Sequence, residues 1–446
     1  MESTATRIVE RLRQAGHEAF FAGGCVRDML LGKPAHDIDV ATSAKPEDVQ
    51  RLFSRTVAVG AQFGVIVVLE NGTEFQVATF RSDGAYADGR HPASVSFTTA
   101  EGDALRRDFT INGLFYDPIE KRVLDFVGGE ADLKAGVIRC IGNPAERFQE
   151  DKLRVLRGVR FGASLGFEIH PETWTALRAG AAEIVAVSAE RIRDELVKMF
   201  LHPSRVRGFD LLDSSGLLAI VLPEVDAMKG CEQPPEFHPE GDVFVHTRLM
   251  LSLLPPEVSV PLVFSTLLHD IGKPPTFQVD PTGRIRFNGH ESVSAVMTEA
   301  LFARLRFSNA ETEATVTAVK NHMAFKDVQN MRVATLKRFL ARPTMDDELE
   351  LHRVDCLGSH GLLDNYEFLL AKREEFSHEP LIPPPLISGR DLIGMGRRPG
   401  PAFKQILDAV QVRQLEGTLS SREEALAWVA SHEDFVDKET LLTNPL

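Results

Sequence analysis

The sequence predicts a mixed α+β head followed by an all-helical body. Before about residue 144, short apolar or alternating runs are separated by Gly and Asp turns, the pattern of a small mixed sheet with flanking helices. From about Pro144 onward, apolar residues recur at i, i+3 and i+4, the spacing of amphipathic helices. At 446 residues the chain is too long for one ordinary core, so several domains are expected.

The elements follow in order. Residues 5–15 read as a helix. Strands are expected at Ala19–Ala22, His36–Ala41, Gly64–Leu69, Thr73–Phe80 and Val95–Phe97. Helices are expected over Arg147–Leu165, Pro171–Ala181, Ala189–Phe200 and Pro203–Leu218. Two proline-rich stretches, Lys229–Gly241 and His378–Pro385, read as boundaries. The expected divisions are a head over 1–145, a helical neck over 146–228, a further helical domain over 240–377 and a helical tail over 386–446. No repeat of fixed period and no low-complexity tract interrupts them.

Composition narrows the class. Hydrophobic content of 43% and charged content of 26% are those of a soluble globular protein. The first residues are polar, so no secretory signal is expected. The most apolar region, Val243 to Leu268, is broken by His246, Arg248, two prolines and Glu257, so no membrane span is expected. Cys25, Cys140, Cys231 and Cys356 are scattered without a CxxC, which fits a reducing cytoplasm and argues against a disulfide frame. Net charge is −14, with most of the acidic excess in the back half. Such a chain binds polyanions only through a local basic track. Arg154, Arg157, Arg160, Arg191 and Arg193 could form one.

The motif of most consequence is Gly23-Gly24-Cys25-Val26-Arg27-Asp28 followed by Asp37-Ile38-Asp39. On a strand, side chains at i and i+2 point to one face, so Asp37 and Asp39 can converge. Carboxylates that close repel unless a cation sits between them. Hard oxygen ligands favour magnesium, and paired magnesium ions serve nucleotidyl transfer. The glycines let backbone approach a triphosphate. These residues alone read as a metal-dependent nucleotidyltransferase, although a lone DxD is common.

Further motifs follow. Arg106-Arg107-Asp108-Phe109-Thr110-Ile111-Asn112 sets guanidiniums for phosphate beside an Asp and an Asn suited to ribose hydroxyls. In Glu150-Asp151-Lys152-Leu153-Arg154, continuing to Arg157, Arg160 and Phe161, Asp151 and Arg154 are expected on one helical face. Side by side, an acceptor carboxylate and a donor guanidinium imitate a Watson–Crick edge. Taken alone, the pair also reads as a salt bridge on a solvated face. Thr79 to Pro92, rich in Gly and Asp, reads as a mobile loop.

Together these segments resemble the class II tRNA nucleotidyltransferases, the CCA-adding enzymes. The resemblance rests on GGxVRDxLLG…DxD (Gly23 to Asp39), RRDFTIN (Arg106 to Asn112), EDxxR (Glu150 to Arg154) and SxERIRxEL (Ser188 to Leu196). It implies a polymerase-β-like head whose Asp37 and Asp39 hold two magnesium ions. It implies that Gly23, Gly24 and Arg27 face the triphosphate and Asp108 reads the ribose. Arg107, Asn112, Arg157 and Arg160 complete the expected nucleotide site. Asp151 with Arg154 would select CTP and then ATP, and the loop at 81–92 would help to switch between them. The implied partners are CTP, ATP and the acceptor arm and 3′ end of tRNA, in the cytoplasm, with no DNA and no membrane. One position departs from the pattern: Gln76 stands where the family usually has Glu, and Glu74 lies two residues earlier on the same strand face. Bacterial poly(A) polymerases share this head, but Val59 to Val65 looks like the tRNA-adding type.

A second metal site is expected downstream. His246, His269-Asp270, His290, His322 and Asp355 follow the order H…HD…H…H…D of the HD phosphohydrolase superfamily. Imidazoles and carboxylates projecting from several helices suit divalent metals. Arg390, Arg397, Arg398 and Lys404 in the tail could meet RNA phosphates, or be ordinary solvated cations. The leading expectation is CCA addition. Its alternatives are addition of the terminal adenosine alone, poly(A) synthesis, or a metal-dependent HD hydrolase acting on RNA ends.

Overall fold

A computed structural model describes residues 1–34, 37–60, 64–83 and 95–432. The expected α+β head is present, and the body is helical apart from short pairings of Glu168–Ile169 with Val137–Ile138 and of Gln278–Val279 with Ile285–Arg286. The head is built on a seven-stranded sheet. Its strands are β1 (Ala19–Ala22), β2 (Val40–Thr42), β3 (Thr56–Gly60), β4 (Val65–Glu70), β5 (Thr73–Thr79), β8 (Phe115–Asp117) and β9 (Arg122–Leu124), in the order β3-β4-β5-β2-β1-β8-β9. Only β2 and β5 run parallel, in the register Val40↔Val77, so the sheet is mixed. β6 (Arg81–Asp83) and β7 (Val95–Phe97) form a separate antiparallel ribbon. The segment between them, 84–94, which holds most of the expected loop, lies outside the described residues, as do His36 and residues 61–63.

Apolar period explains the packing. The helix Glu2–Gln14 buries Ala5, Ile8, Val9 and Leu12 on one face. On the other side of the sheet a smaller cluster gathers Phe20, Phe80, Phe115, Ala100 and Ala104. Phe80 and Phe115 meet edge to face at 6.0 Å. This cluster docks the short helix Ala100–Leu105, which leads into the Arg106–Asn112 motif.

The body is helical, with one correction. The helix expected over Arg147–Leu165 is two helices, Pro144–Glu150 and Arg154–Leu165. Asp151 leaves helical geometry (φ −133°, ψ 102°). Its carboxylate accepts the Leu153 N–H at 3.1 Å, and its carbonyl accepts the Arg154 N–H at 3.0 Å. Asp side chains compete in this way for backbone donors and start a new helix. Asp151 and Arg154 therefore do not share one continuous helical face. The neck continues through Pro171–Gly180, Ala189–Leu201 and Arg205–Ser215. Beyond it, Val243–Leu253, Val260–Leu268, His290–Arg304, Asn309–Asn321 and Met345–Gly358 pack together. One continuous apolar cluster runs from Ala5 to Val354, whereas the tail has its own around Ile387, Leu392, Ile406 and Val410. Among the described residues no helix is long and apolar enough to cross a membrane.

Candidate active site

Gly23 closes β1 and caps the helix Gly24–Leu30 with φ 77° and ψ −133°, a conformation reserved for glycine. A Cβ there would lie 2.7 Å from Nη1 of Arg107, so the missing side chain lets the guanidinium lie against backbone. Arg107 is fixed from behind. Asp103 accepts from its Nε and Nη2 at 3.2 and 2.9 Å, and the Asn112 carbonyl accepts from Nη1 at 3.2 Å. Asp103 also accepts from Arg106 Nε at 2.9 Å. Burial raises the Asp103 pKa, but Arg107 and Arg106 together hold it below its ordinary value.

The two aspartates lie just ahead of β2 rather than within a strand, since pairing begins at Val40. The same-face expectation survives in the burial pattern: Asp37 and Asp39 are exposed and Ile38 is buried. The Asp39 carbonyl still accepts from Ala22 N–H at 3.0 Å. Crowding and Asp37 raise the Asp39 pKa, with Arg107 pulling the other way. The β2–β5 register, continued one step from Val40↔Val77, sets Gln76 rather than Glu74 beside Asp39.

Opposite stands the neck helix Arg154–Leu165. Asp108 is buried, and its acceptor positions are filled by Phe109 N–H (2.8 Å), Asn112 Nδ2 (3.0 Å) and Arg157 Nε (2.8 Å) and Nη2 (2.6 Å). Burial alone would raise its pKa; Arg157 and Asn112 overcome that and hold it at about 2. Phe161 is a shared platform, with the guanidinium carbons of Arg27, Arg157 and Arg160 at 5.2, 5.2 and 4.0 Å from its ring. Glu195, 3% exposed, pairs with Arg160 and lies 3.8 Å from Arg157. Arg154 is also buried. Its Nη2 donates to the Arg106 carbonyl at 2.9 Å and its Nη1 to Glu150 at 2.9 Å. Asp151 accepts from Arg191 Nη2 at 2.8 Å.

These side chains enclose a cavity of about 800 Å³. Its lining includes Gly23, Gly24, Arg27, Asp39, Arg107, Asp108, Asn112, Asp151, Arg154, Arg157 and Arg160; Asp37 does not line it. Nine basic side chains face three carboxylates there, so an acidic chain has gathered a strongly positive pocket. The sequence reading omitted Arg81, Phe161 and Lys198 as site residues, and did not assign Arg106 and Arg191 to the nucleotide. It also missed the supporting carboxylates Asp103 and Glu195. Arg106, Phe161, Arg191 and Glu195 already stood inside the recognised motifs, which was their signal.

The second cluster assembles as the residue order suggested. His246 Nε2 lies 3.2 Å from Asp355, and His269 Nε2 lies 3.1 Å from Asp270. His290 Nε2 lies 3.3 Å from Asp270 and 3.1 Å from His322 Nε2. His246 Nε2, His269 Nε2 and Asp270 Oδ1 are buried without a hydrogen bond of acceptable geometry. Acceptors and imidazoles left unpaired around one point fit a divalent cation. The titration behaviour agrees at His322, while at His246 a cation would have to displace a proton. Against the cost of burial, hydrogen bonds to Asp355 and Glu240 raise His246 to about 9. Burial, with His269 next, pushes His322 down to about 3, the neutral form a ligand needs. In the tail, Arg397 donates to the Val429 carbonyl at 3.1 Å, a structural role.

Three family models match the chain: the poly(A) polymerase head domain over 19–139, a probable RNA-binding site of polymerase A over 166–229, and the HD domain over 247–355. The mixed sheet and its cavity fit a poly(A) polymerase-type head, followed by helices that match the second of these models. The chain thus carries matches to a poly(A) polymerase head and an HD domain, and it is similar to CCA-adding enzymes. It is 43% identical over 212 residues to the CCA-adding enzyme of Ligilactobacillus salivarius, spanning 47% of this chain and 52% of that one. It is 43% identical over 222 residues to that of Streptococcus gordonii, spanning 50% and 55%. The match thus spans about half the length of these curated relatives. The crystal structure of the Bacillus stearothermophilus CCA-adding enzyme in complex with CTP matches 98% of both chains, with a TM-score of 0.73 and 25% identity. A Thermotoga maritima CCA-adding enzyme complexed with tRNA shares the fold, with a TM-score of 0.60 and 20% identity over 96% of this chain and 94% of that one.

Proposed function

We propose that this chain is a template-independent tRNA nucleotidyltransferase that adds CMP, CMP and AMP to the tRNA 3′ end from CTP and ATP. The observation that carries the reading is the basic cavity, in which Arg107 lies over Gly23 beside Asp39. Arg27, Arg106 and Arg107 suit a triphosphate, because a guanidinium offers forked donors to phosphate oxygens. The tRNA 3′-hydroxyl attacks the α-phosphate and pyrophosphate leaves. Asp37 and Asp39 are the ligands for two magnesium ions, a reading supported by their shared exposed side and by burial and then the Asp37 charge raising Asp39. Bound there, magnesium supplies charge neutralisation and a more acidic attacking hydroxyl. Arg157 and Arg160, spread over Phe161, form the far wall toward ribose and base.

Asp151 and Arg154 select the base on this reading. Both carry partners without nucleotide, Arg191 for one and Glu150 with the Arg106 carbonyl for the other, so base recognition exchanges or shares those contacts. The divisions that go with it are a head over 1–145, a neck over 146–228, an HD domain over 240–377 and a tail over 386–446, acting in the cytoplasm. Asp39→Asn keeps the shape of the side chain and is expected to abolish incorporation while tRNA still binds. Near-normal incorporation would contradict the mechanism.

A second activity is favoured by the unpaired atoms of His246, His269 and Asp270. We infer a divalent metal held by His246, His269, Asp270, His290, His322 and Asp355, and a phosphohydrolase using it. The adjoining cavity of about 340 Å³ carries Lys273, Arg284 and Arg286, cations suited to a phosphate ester.

A further inference from the structure

The segment Lys229–Gly241, which reads as a mere boundary in sequence, folds back onto the HD site. Its ends are tied to the following helix: Val243 N–H donates to the Cys231 carbonyl at 3.1 Å and Gly230 N–H to Asp242 at 2.7 Å. Three of its side chains reach inward. Gln233, 4% exposed, accepts from Lys273 Nζ at 2.6 Å, and the same Nζ lies 2.7 Å from Asp270. Glu240 Oε1 accepts from His246 Nδ1 at 2.7 Å and from His238 Nδ1 at 2.9 Å. His238 in turn lines the cavity with Asp270, His290, His322 and Asp355.

The contact to His246 has a chemical consequence. An ionised carboxylate only accepts, so Nδ1 of His246 must carry the proton. In neutral imidazole that leaves a lone pair on Nε2. Nε2 faces Asp355 Oδ1 at 3.2 Å, so with Nδ1 committed to Glu240 it is Nε2 that a metal would take, in exchange for a proton shared with Asp355. The His246 ring is fully buried, so in the intact protein Nδ1 meets protein acceptors rather than solvent. The other acceptor near Nδ1 is the Gly358 carbonyl, at a longer 3.3 Å.

We propose that Glu240 is a positioning residue of the HD centre: it locks His246 in the Nδ1–H tautomer, presents Nε2 to the metal, and aligns His238 with the substrate cavity. This rests on the metal reading of the HD site given above. A carboxylate behind a metal-binding histidine orients the ring and raises its basicity, and its loss typically weakens metal binding 10- to 100-fold.

The test is a Mn²⁺ titration by calorimetry on the full chain, in an Asp37→Ala, Asp39→Ala background that silences the head. Glu240→Ala is expected to weaken Mn²⁺ about 10- to 100-fold. Glu240→Gln keeps an acceptor without charge and is expected between the two. ¹⁵N shifts of His246 in metal-free protein, read at a pH above about 9 where the ring is neutral, are expected to lose the pure Nδ1–H signature in Glu240→Ala, a change that a simple packing role would not produce. If the background protein itself takes no Mn²⁺ at this site, the HD metal reading fails and this proposal with it. If that protein binds Mn²⁺ and both Glu240 variants bind equally well, Glu240 has no positioning role and only this proposal is overturned.

Discussion

Gly23→Ala tests the head site at its tightest point. Two costs are separable in the structure. The first is conformational: at φ 77° and ψ −133° an alanine is strained, by about 1–3 kcal/mol. The second is positional: the new Cβ would sit 2.7 Å from Arg107 Nη1, and Arg107 is pinned on its far side by Asp103, so the guanidinium must leave its place. Losing one charge-assisted contact to a phosphate costs about 1.5–3 kcal/mol, or roughly 10- to 150-fold in kcat/KM. The triphosphate is common to both substrates, so CTP and ATP should suffer alike. Steady-state incorporation and denaturant midpoints measure both effects. Gly24→Ala is the contrast: its backbone is ordinary and the nearest side-chain atom lies 3.6 Å from its ideal Cβ, so stability should hold. A Gly23→Ala enzyme with wild-type midpoint and wild-type kcat/KM would refute the assignment of Arg107 and Gly23 to the triphosphate.

Further expectations follow from the same geometry. Asp39 takes up a proton at higher pH than a free aspartate, so the acid limb of incorporation should lie above that of a free aspartate, and raising magnesium should move it to lower pH; a limb indifferent to magnesium would contradict the ligand role. Asp108 is depressed from 3.8 to about 2 on folding, which is worth about 2 kcal/mol of stability. A depressed carboxylate stabilises above its unfolded value, so that contribution is complete above about pH 4 and is lost as pH falls through about 2. Asp108→Asn should therefore be less stable at neutral pH, and its deficit should shrink across that acid window in denaturant titrations. Glu195→Gln should loosen Arg160, while Arg157 stays held by Asp108, and raise KM for both nucleotides several-fold, with tRNA binding unchanged. His269→Ala should abolish Mn²⁺ binding at the HD centre while leaving nucleotide incorporation intact.

How far the site was legible depended on whether a residue's role is local. Gly23, Arg107, Asp108 and Arg157 sit in motifs whose spacing already states the chemistry, and all of them line the cavity. The six HD residues come from five separate segments, and the structure gathers them into one cluster in keeping with the resemblance their order carries. Asp151 was misplaced on a continuous helix, because periodicity cannot see a side chain capping its own backbone. Asp103 and Glu195 were passed over for a different reason: an acid that anchors arginines looks like any other surface acid until burial is known. Glu240 was hidden by composition, since prolines around it read as a break while the chain there wraps the HD centre. Four of the expected strands were legible from apolar or alternating runs, whereas Thr56–Gly60, Arg81–Asp83, Phe115–Asp117 and Arg122–Leu124 were missed and the strand expected over His36–Ala41 begins only at Val40. The strand order, with β2 between β5 and β1, was not legible, because it depends on contacts distant in sequence.

The central claim is addition of C, C and A to tRNA. The most direct measurement is incorporation on three tRNA transcripts, ending in the discriminator base, in C and in CC, each given CTP, ATP or both. The account predicts stepwise completion to CCA and then arrest on all three. Addition of A to the CC-ended transcript alone would contradict it in favour of an A-adding enzyme, and unbounded A tails would contradict it in favour of a poly(A) polymerase.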